Sequence, residues 1–227
     1  MLSGLLLLSA LFCTVVSAQT QVPGTEAMLD RMRQNKLKQV TSGNNYVEIN
    51  GVGYLYPEFT DGYLRTLDGQ FFRGKFRYDM YAEIPEFIAG EYVYQLSAPM
   101  VVDTVGIGEY KFIYVPEMEA DVPGKSTFFV LLEDGPFQLL RRPSVILRDP
   151  EPAKLYQDAK PAQFLPISDS YYIRENGKPA VRIKSKQSIL DALKDSGKDM
   201  GAFIKQNKIS TNDPEDLLRV VGYCNSR

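Results

Sequence analysis

Asp79, Glu83 and Glu86 lie in the densest ionisable cluster of this sequence and are the least poor candidates for acid–base chemistry. Two carboxylates hydrolyse a glycosidic bond when they stand roughly 5–9.5 Å apart across it. Phe71 to Tyr81 reads as a strand running towards Glu83. In that conformation Phe76, Tyr78, Met80 and Ala82 share one face, and Lys75, Arg77, Asp79, Tyr81 and Glu83 share the other. Asp79 and Glu83 would then lie ~13 Å apart along the strand, too far for either glycosidase mechanism. Only a carboxylate from another strand, such as Glu58 or Glu109, would complete a pair. Basic and acidic residues alternating in this way are also what a solvated outer sheet face carries, and that is the expectation for Lys75 to Glu83.

Other chemistry is narrowed by composition. The 227 residues include no His and no Trp. Without His there is no Ser-His-Asp or Cys-His catalysis, no His-ligated zinc and no ordinary imidazole pH switch. Lys and Arg total 26 against 28 Asp and Glu, a net charge of −2. No basic block stands out, so nucleic acid is not the expected partner. Asp68-Gly69 and Asp134-Gly135 supply too few oxygen ligands for calcium loops and read as hairpin turns. Gly106-Ile107-Gly108 lacks the strand–helix context of a nucleotide fingerprint and reads as a turn or bulge before Tyr110. Ser185 between Lys184 and Lys186 suits a helix cap better than a Ser-Lys dyad, which needs a buried neutral lysine. No cofactor and no metal are expected.

Tyrosine is the other distinctive residue. There are 14, with Tyr54, Tyr56, Tyr63, Tyr78, Tyr81, Tyr92 and Tyr94 crowded into the first half. A tyrosine buries a large ring and keeps a polar tip, which suits a surface that binds a glycan or a partner protein. Tyr54, Tyr56, Tyr63, Tyr78 and Tyr81 are the candidate binding residues. Tyrosine is also a good strand former and fits a sheet without any ligand.

The elements that would position these residues follow from pattern. Leu2 to Val16 is an apolar run ending at Val16-Ser17-Ala18, the pattern of a cleavable signal peptide (residues 1–18), although its start carries no Lys or Arg. It is short for a transmembrane helix, and no later stretch is apolar enough to span a bilayer. Cys13 falls inside that segment behind Phe12, which disfavours lipidation. Cys224 is then the only cysteine after cleavage, so no intrachain disulfide is expected. That absence suits a periplasmic or secreted bacterial protein.

Residues 19–148 read as a helix from Thr25 to Lys38 followed by a β-rich region. Its strands are Tyr46 to Ile49, Tyr63 to Leu67, Phe71 to Tyr81, Tyr92 to Leu96, Tyr110 to Val115, Phe128 to Leu132, Phe137 to Leu140 and Val145 to Leu147. Residues 149–169 hold Pro150, Pro152, Pro161 and Pro166. They read as a connector whose Leu155, Tyr156, Phe164 and Leu165 pack along the sheet. Residues 170–227 read as a hairpin turning at Asn176-Gly177, then three short helices with Ser185 and Asp213 as caps. The expected class is α+β. It combines a curved antiparallel sheet (sandwich or barrel-like), an N-terminal helix and a small C-terminal three-helix subdomain.

Three blocks carry a resemblance. The first is Gly51-Val52-Gly53-Tyr54-Leu55, Phe59, Gly62, Arg77-Tyr78-Asp79-Met80-Tyr81 and Glu86-Phe87. The second runs from Phe128-Phe129 to Leu140, then Asp158-Ala159-Lys160-Pro161-Ala162 and Phe164. The third is Tyr171-Tyr172, Lys184-Ser185-Lys186, Phe203 to Lys208 and the acidic start of the last helix. In this order they resemble a group of uncharacterised secreted proteins of Bacteroidota, where Asn tends to stand in place of Asp79. The resemblance implies export and domain extent, and supplies no catalytic residue. The expected function is that of an exported non-enzymatic protein that binds an envelope protein or a glycan. The alternative is an exported carboxylate-dependent hydrolase using Asp79, Glu83 and Glu86.

Overall fold

The computed structural model describes residues 30, 38–40, 46, 48–96, 102–115 and 127–226. The signal segment lies outside these residues. So does the expected helix from Thr25 to Lys38, apart from the helical Asp30 and from Lys38, which opens strand β1 (Lys38–Val40).

The turn dipeptides do what their chemistry dictates. Asp68-Gly69 joins β2 (Thr60–Thr66) to β3 (Phe71–Asp79), with Gly69 at φ 83°. Beyond β3 come β4 (Ile84–Ala89), β5 (Tyr92–Gln95), β6 (Val102–Ile107) and β7 (Tyr110–Val115). Next are β8 (Thr127–Glu133), β9 (Phe137–Arg142) and β10 (Val145–Arg148). The chain continues through β11 (Gln163–Pro166), β12 (Ser170–Glu175) and β13 (Val181–Arg182). One 11-stranded antiparallel sheet has the order β1-β5-β4-β3-β2-β6-β7-β8-β9-β12-β13, and β10 pairs with β11 in a separate ribbon. The ladder stays open. Its curvature brings β4 against β8, and the Tyr78 hydroxyl of β3 donates to the Phe128 carbonyl of β8 at 3.1 Å.

Alternation along the strands fills the curl. Leu64, Phe72, Phe76, Tyr78, Phe87, Val105, Phe112 and Phe128 point inward and are buried together. Tyr78 stacks on Phe112 with ring centroids 4.5 Å apart. β2 and its ladder partner β6 approach closely at two glycines. A Cβ on Gly62 would strike the Gly106 carbonyl, and a Cβ on Gly106 would strike the Tyr63 ring.

Three helices cover the far end of the sheet: α1 (Lys186–Ala192), α2 (Met200–Gln206) and α3 (Pro214–Asn225). Ser185 caps α1 in a capping box with Ser188, and Asp213 caps α3 with Pro214 in its first turn. Ile189, Leu193, Met200, Ile204, Leu217, Val220 and Val221 pack on Phe137, Leu139 and Ile173. β12 pairs with β9, so the hairpin beneath the helices continues the main sheet.

Four expectations change. Tyr46, Glu48 and Ile49 lie in a turn or loop rather than a strand, and only Asn50 makes an isolated bridge, to Gln163. β3 stops at Asp79 because 80–83 form the turn into β4, a strand whose Pro85 and acidic Glu86 hid it from pattern reading. Gly106 and Ile107 end strand β6, and only Gly108 and Glu109 turn. The segment 149–169 holds β11 and a hairpin arm. Its Phe164 packs as expected, but Leu155 and Tyr156 stand in solvent.

Candidate functional site

The carboxylates come together differently from the strand geometry assumed. Arg77 opposes Glu86 across β3 and β4, and Asp79 lies one step along on the same outer face. Asp79 and Glu86 are therefore diagonal neighbours, about 7–8 Å apart at the backbone. The outer face is not solvated here. Residues 53–55 run along the end of β3, with Leu55 N–H donating to Tyr78 O at 3.0 Å and Met80 N–H to Gly53 O at 2.8 Å. This lays Tyr46, Tyr54 and Phe59 over the charges. Asp79 is 0% exposed and Glu86 1%.

Asp79 is saturated by local chemistry. Its Oδ1 accepts from the Tyr81 and Ala82 amides at 2.9 and 2.8 Å, closing the β3–β4 turn. Its Oδ2 accepts from the Tyr46 hydroxyl at 2.7 Å. Glu86 Oε2 accepts from Arg77 Nε at 2.9 Å and Nη2 at 2.8 Å, and Gln95 Nε2 donates to Oε1 at 3.4 Å. The Arg77 guanidinium lies between the rings of Tyr54 and Phe59, 3.7 and 4.3 Å from their centroids. Burial raises the proton affinity of both acids, against the lowering pull of these donors. Tyr54 is pushed up to about 12, first by burial and then by the charge of Glu86. Burial and the bond to Asp79 push Tyr46 far above the ordinary tyrosine range.

Glu83 stands apart from this pair. It sits in the turn at φ 59° and forms an ion pair with Arg142 of β9. Asp79, Glu83 and Glu86 thus each hold contacts within the fold, and Asp79 and Glu86 are buried. Asp134, the other acid considered for a metal loop, accepts from the Gly135 amide and from Gln138 within its own hairpin.

The candidate tyrosines divide. Tyr78 is a core residue at 0% exposure and is withdrawn as a binding residue. Tyr54 is held under Arg77. Tyr56 packs beside Tyr110, ring centroids 5.8 Å apart. Tyr63 covers Gly106 and stacks on Phe71 at 4.9 Å. Tyr81 is the one of the five that is exposed, and its ring leans on Tyr46 and Phe164. Cys224 is buried in α3, and burial pushes its thiol up, away from the reactive thiolate.

Two features were missed in the sequence. The first is the arm between β10 and β11. Glu151 and Lys160 exchange backbone hydrogen bonds at 2.8 and 2.9 Å, and Lys154 and Gln157 do so at 2.9 Å. A Lys160–Glu151 ion pair at 3.1 Å ties the two sides together. Phe164 anchors the base, packed against Gly51, Gly53 and Tyr46. At the tip Leu155 is 85% exposed and Tyr156 99%, the latter at φ 64°. The readable signal was an apolar pair between residues able to close a two-residue turn, flanked on both sides by prolines. The second is a polar cavity of about 650 Å³ where β12 and β13 meet the loop before α3.

Comparison with known proteins finds no match among family models, curated proteins or solved structures. Among the described residues there is no disulfide, and no helix is long and apolar enough to cross a membrane.

Proposed function

We propose that this chain is an exported, non-enzymatic protein that binds a partner protein through the tip of the β10–β11 arm. The observation that carries the reading is Tyr156. A non-glycine residue in the left-handed region costs of order 1–3 kcal/mol, and turns that need this conformation favour Gly or Asn. Here a tyrosine occupies it, almost fully solvated, beside an equally displayed leucine. Among the described residues, the backbone at 155–156 closes the turn between Lys154 and Gln157, but neither side chain is covered by the rest of the chain. An apolar pocket on a partner would cover them, and an aromatic anchor ringed by polar residues (Lys154, Gln157 and Asp158) is the anatomy of an interface hot spot.

The rest of the arm supports side-chain recognition over other modes. Pro150, Pro152, Pro161 and Pro166 remove backbone donors along both edges, which disfavours strand addition. A membrane is a poorer fit. Burying Leu155 and Tyr156 yields roughly 1.5–3 kcal/mol each, below what stable anchoring needs. The arm also carries three acids against two lysines, so an anionic surface repels it. Export is supported by the Leu2–Val16 run with its small-residue end, and by the resemblance to secreted Bacteroidota proteins. The hydrolase alternative finds little in the geometry, since Asp79 and Glu86 are sealed and saturated.

Differential capture tests the reading. Mature wild-type chain and a Leu155→Ser/Tyr156→Ser variant are used as bait on cell-envelope extract. At least one species held by the first and absent from the second is expected. Equal capture by both overturns the role of the tip.

A further inference from the structure

We propose that Phe164 is the positioning residue of the β10–β11 arm: seated against Gly51, Gly53 and the rings of Tyr46 and Tyr81, it fixes the direction in which the tip is displayed. The inference rests on the partner-binding role of the tip and adds how the body supports that role. β10 and β11 pair with each other and with no strand of the main sheet, so the main ladder does not aim the ribbon. Tyr156 lies eight positions before Phe164, up to roughly 25 Å of extended chain. A small rotation at the base therefore becomes a large displacement at the tip. An anchor on a swinging arm loses that freedom when it binds, and an anchor already held in place does not.

The seat is built on both sides of Asn50. The Asn50 amide donates to Ala162 O at 2.9 Å, and the Phe164 amide donates to Asn50 O at 2.8 Å, which makes the isolated parallel bridge between Asn50 and Gln163. The Phe164 side chain is then buried, at 2% exposure. Tyr46 meets its ring edge-on with centroids 4.8 Å apart, and Tyr81 lies at 5.5 Å. Glycine is needed beneath it. A Cβ on Gly51 would stand 2.5 Å from Phe164 O, and one on Gly53 would stand 2.9 Å from Phe164 Cε2. The seat is itself fastened to the end of β3. The Met80 amide donates to Gly53 O at 2.8 Å, the Tyr46 hydroxyl donates to Asp79, and Asp79 also accepts from the Tyr81 amide. Phe164 thus joins the ribbon to the most firmly bonded corner of the outer face. The same contacts give Tyr46 and Tyr81 a role that needs no ligand of their own.

Amide hydrogen exchange, read residue by residue on the mature chain, tests the seat without any partner. Phe164→Ala empties it. Gly53→Ala leaves the arm untouched, and its methyl must displace the Phe164 ring because the Met80 amide holds Gly53 O in place. This second variant keeps the test valid if Phe164→Ala fails to fold. In each, the Asn50 and Phe164 amides are expected to exchange about tenfold faster than in wild type. The Glu151 and Lys160 amides, which bond across the arm, and the β7–β8 ladder should keep their wild-type rates. General loss of stability would instead speed all of them. Capture of a partner should weaken in both variants, although Leu155 and Tyr156 are intact. Unchanged exchange at Asn50 and Phe164, equal acceleration at every one of these amides, or accelerated exchange with undiminished capture would each overturn the proposal. Failure of the tip reading itself shows separately, as equal capture by wild type and the Leu155→Ser/Tyr156→Ser variant.

Discussion

Tyr46 donates its hydroxyl to the buried Asp79 carboxylate at 2.7 Å, across 33 residues of sequence. This bond fastens the covering loop to the β3–β4 turn, and the other carboxylate oxygen shapes the turn itself. The acid that looked most like a catalyst is therefore a structural clamp. Its removal should be read as lost stability.

Asp79→Ala should destabilise the fold by about 2–4 kcal/mol, because it leaves two turn amides and the half-buried Tyr46 hydroxyl without their acceptor. Asp79→Asn keeps one acceptor oxygen and should cost less. Urea unfolding of the two variants beside wild type checks the order, and equal losses would contradict it.

The pH dependence of that clamp has a definite sign. Burial raises the Asp79 pKa in the folded state, so the folded chain holds this proton more tightly than the unfolded chain. The contribution is full below about pH 4, the ordinary aspartate value, and is lost as pH rises through the folded value. The stability of wild type relative to Asp79→Asn should therefore fall between pH 4 and neutrality. Glu86 is raised for the same reason, burial, and Glu86→Gln gives a parallel comparison. Urea midpoints across pH provide the measurement, and a relative stability that rises with pH would contradict the sign.

Tyr156→Gly separates stability from recognition. Glycine adopts φ 64° without steric cost but adds freedom to the unfolded chain, so stability should change by no more than about 1 kcal/mol. Partner capture should be lost. A large drop in melting temperature would mean the ring supports the fold.

The two glycines where β2 pairs with β6 should respond unequally. Gly62→Ala drives a methyl into the Gly106 carbonyl, which is backbone within a ladder and cannot move aside. Gly106→Ala meets the Tyr63 ring, which can swing away on the outer face. Gly62→Ala is expected to cost more than about 2 kcal/mol, and Gly106→Ala clearly less. Thermal unfolding of the pair reads the difference.

Local chemistry was legible in the sequence where it acts locally. The turn glycines, the Ser185 and Asp213 caps and the apolar faces of α1–α3 all write themselves in short spacing. The α+β class with one antiparallel sheet followed from them. What could not be read depends on contacts distant in the chain. A strand with outward charges looks solvated until Tyr46, Tyr54 and Phe59 close over it, and the alternation of β3 says nothing about that cover. Tyr78 and Tyr81 are three residues apart, yet one is core and the other exposed, because β3 ends between them. Leu155 and Tyr156 looked like packing residues because apolar side chains usually are. The arm displays them instead, held away by paired backbone on both sides.

The most direct test of the partner-binding account places a photo-activated cross-linking residue at position 157, beside the tip, in the organism that makes the protein. The account predicts one reproducible adduct of a single larger size. It should vanish when Leu155→Ser and Tyr156→Ser are added, and persist with Asp79→Asn. An adduct unaffected by the tip substitutions, or no adduct in cells that export the folded protein, would contradict it.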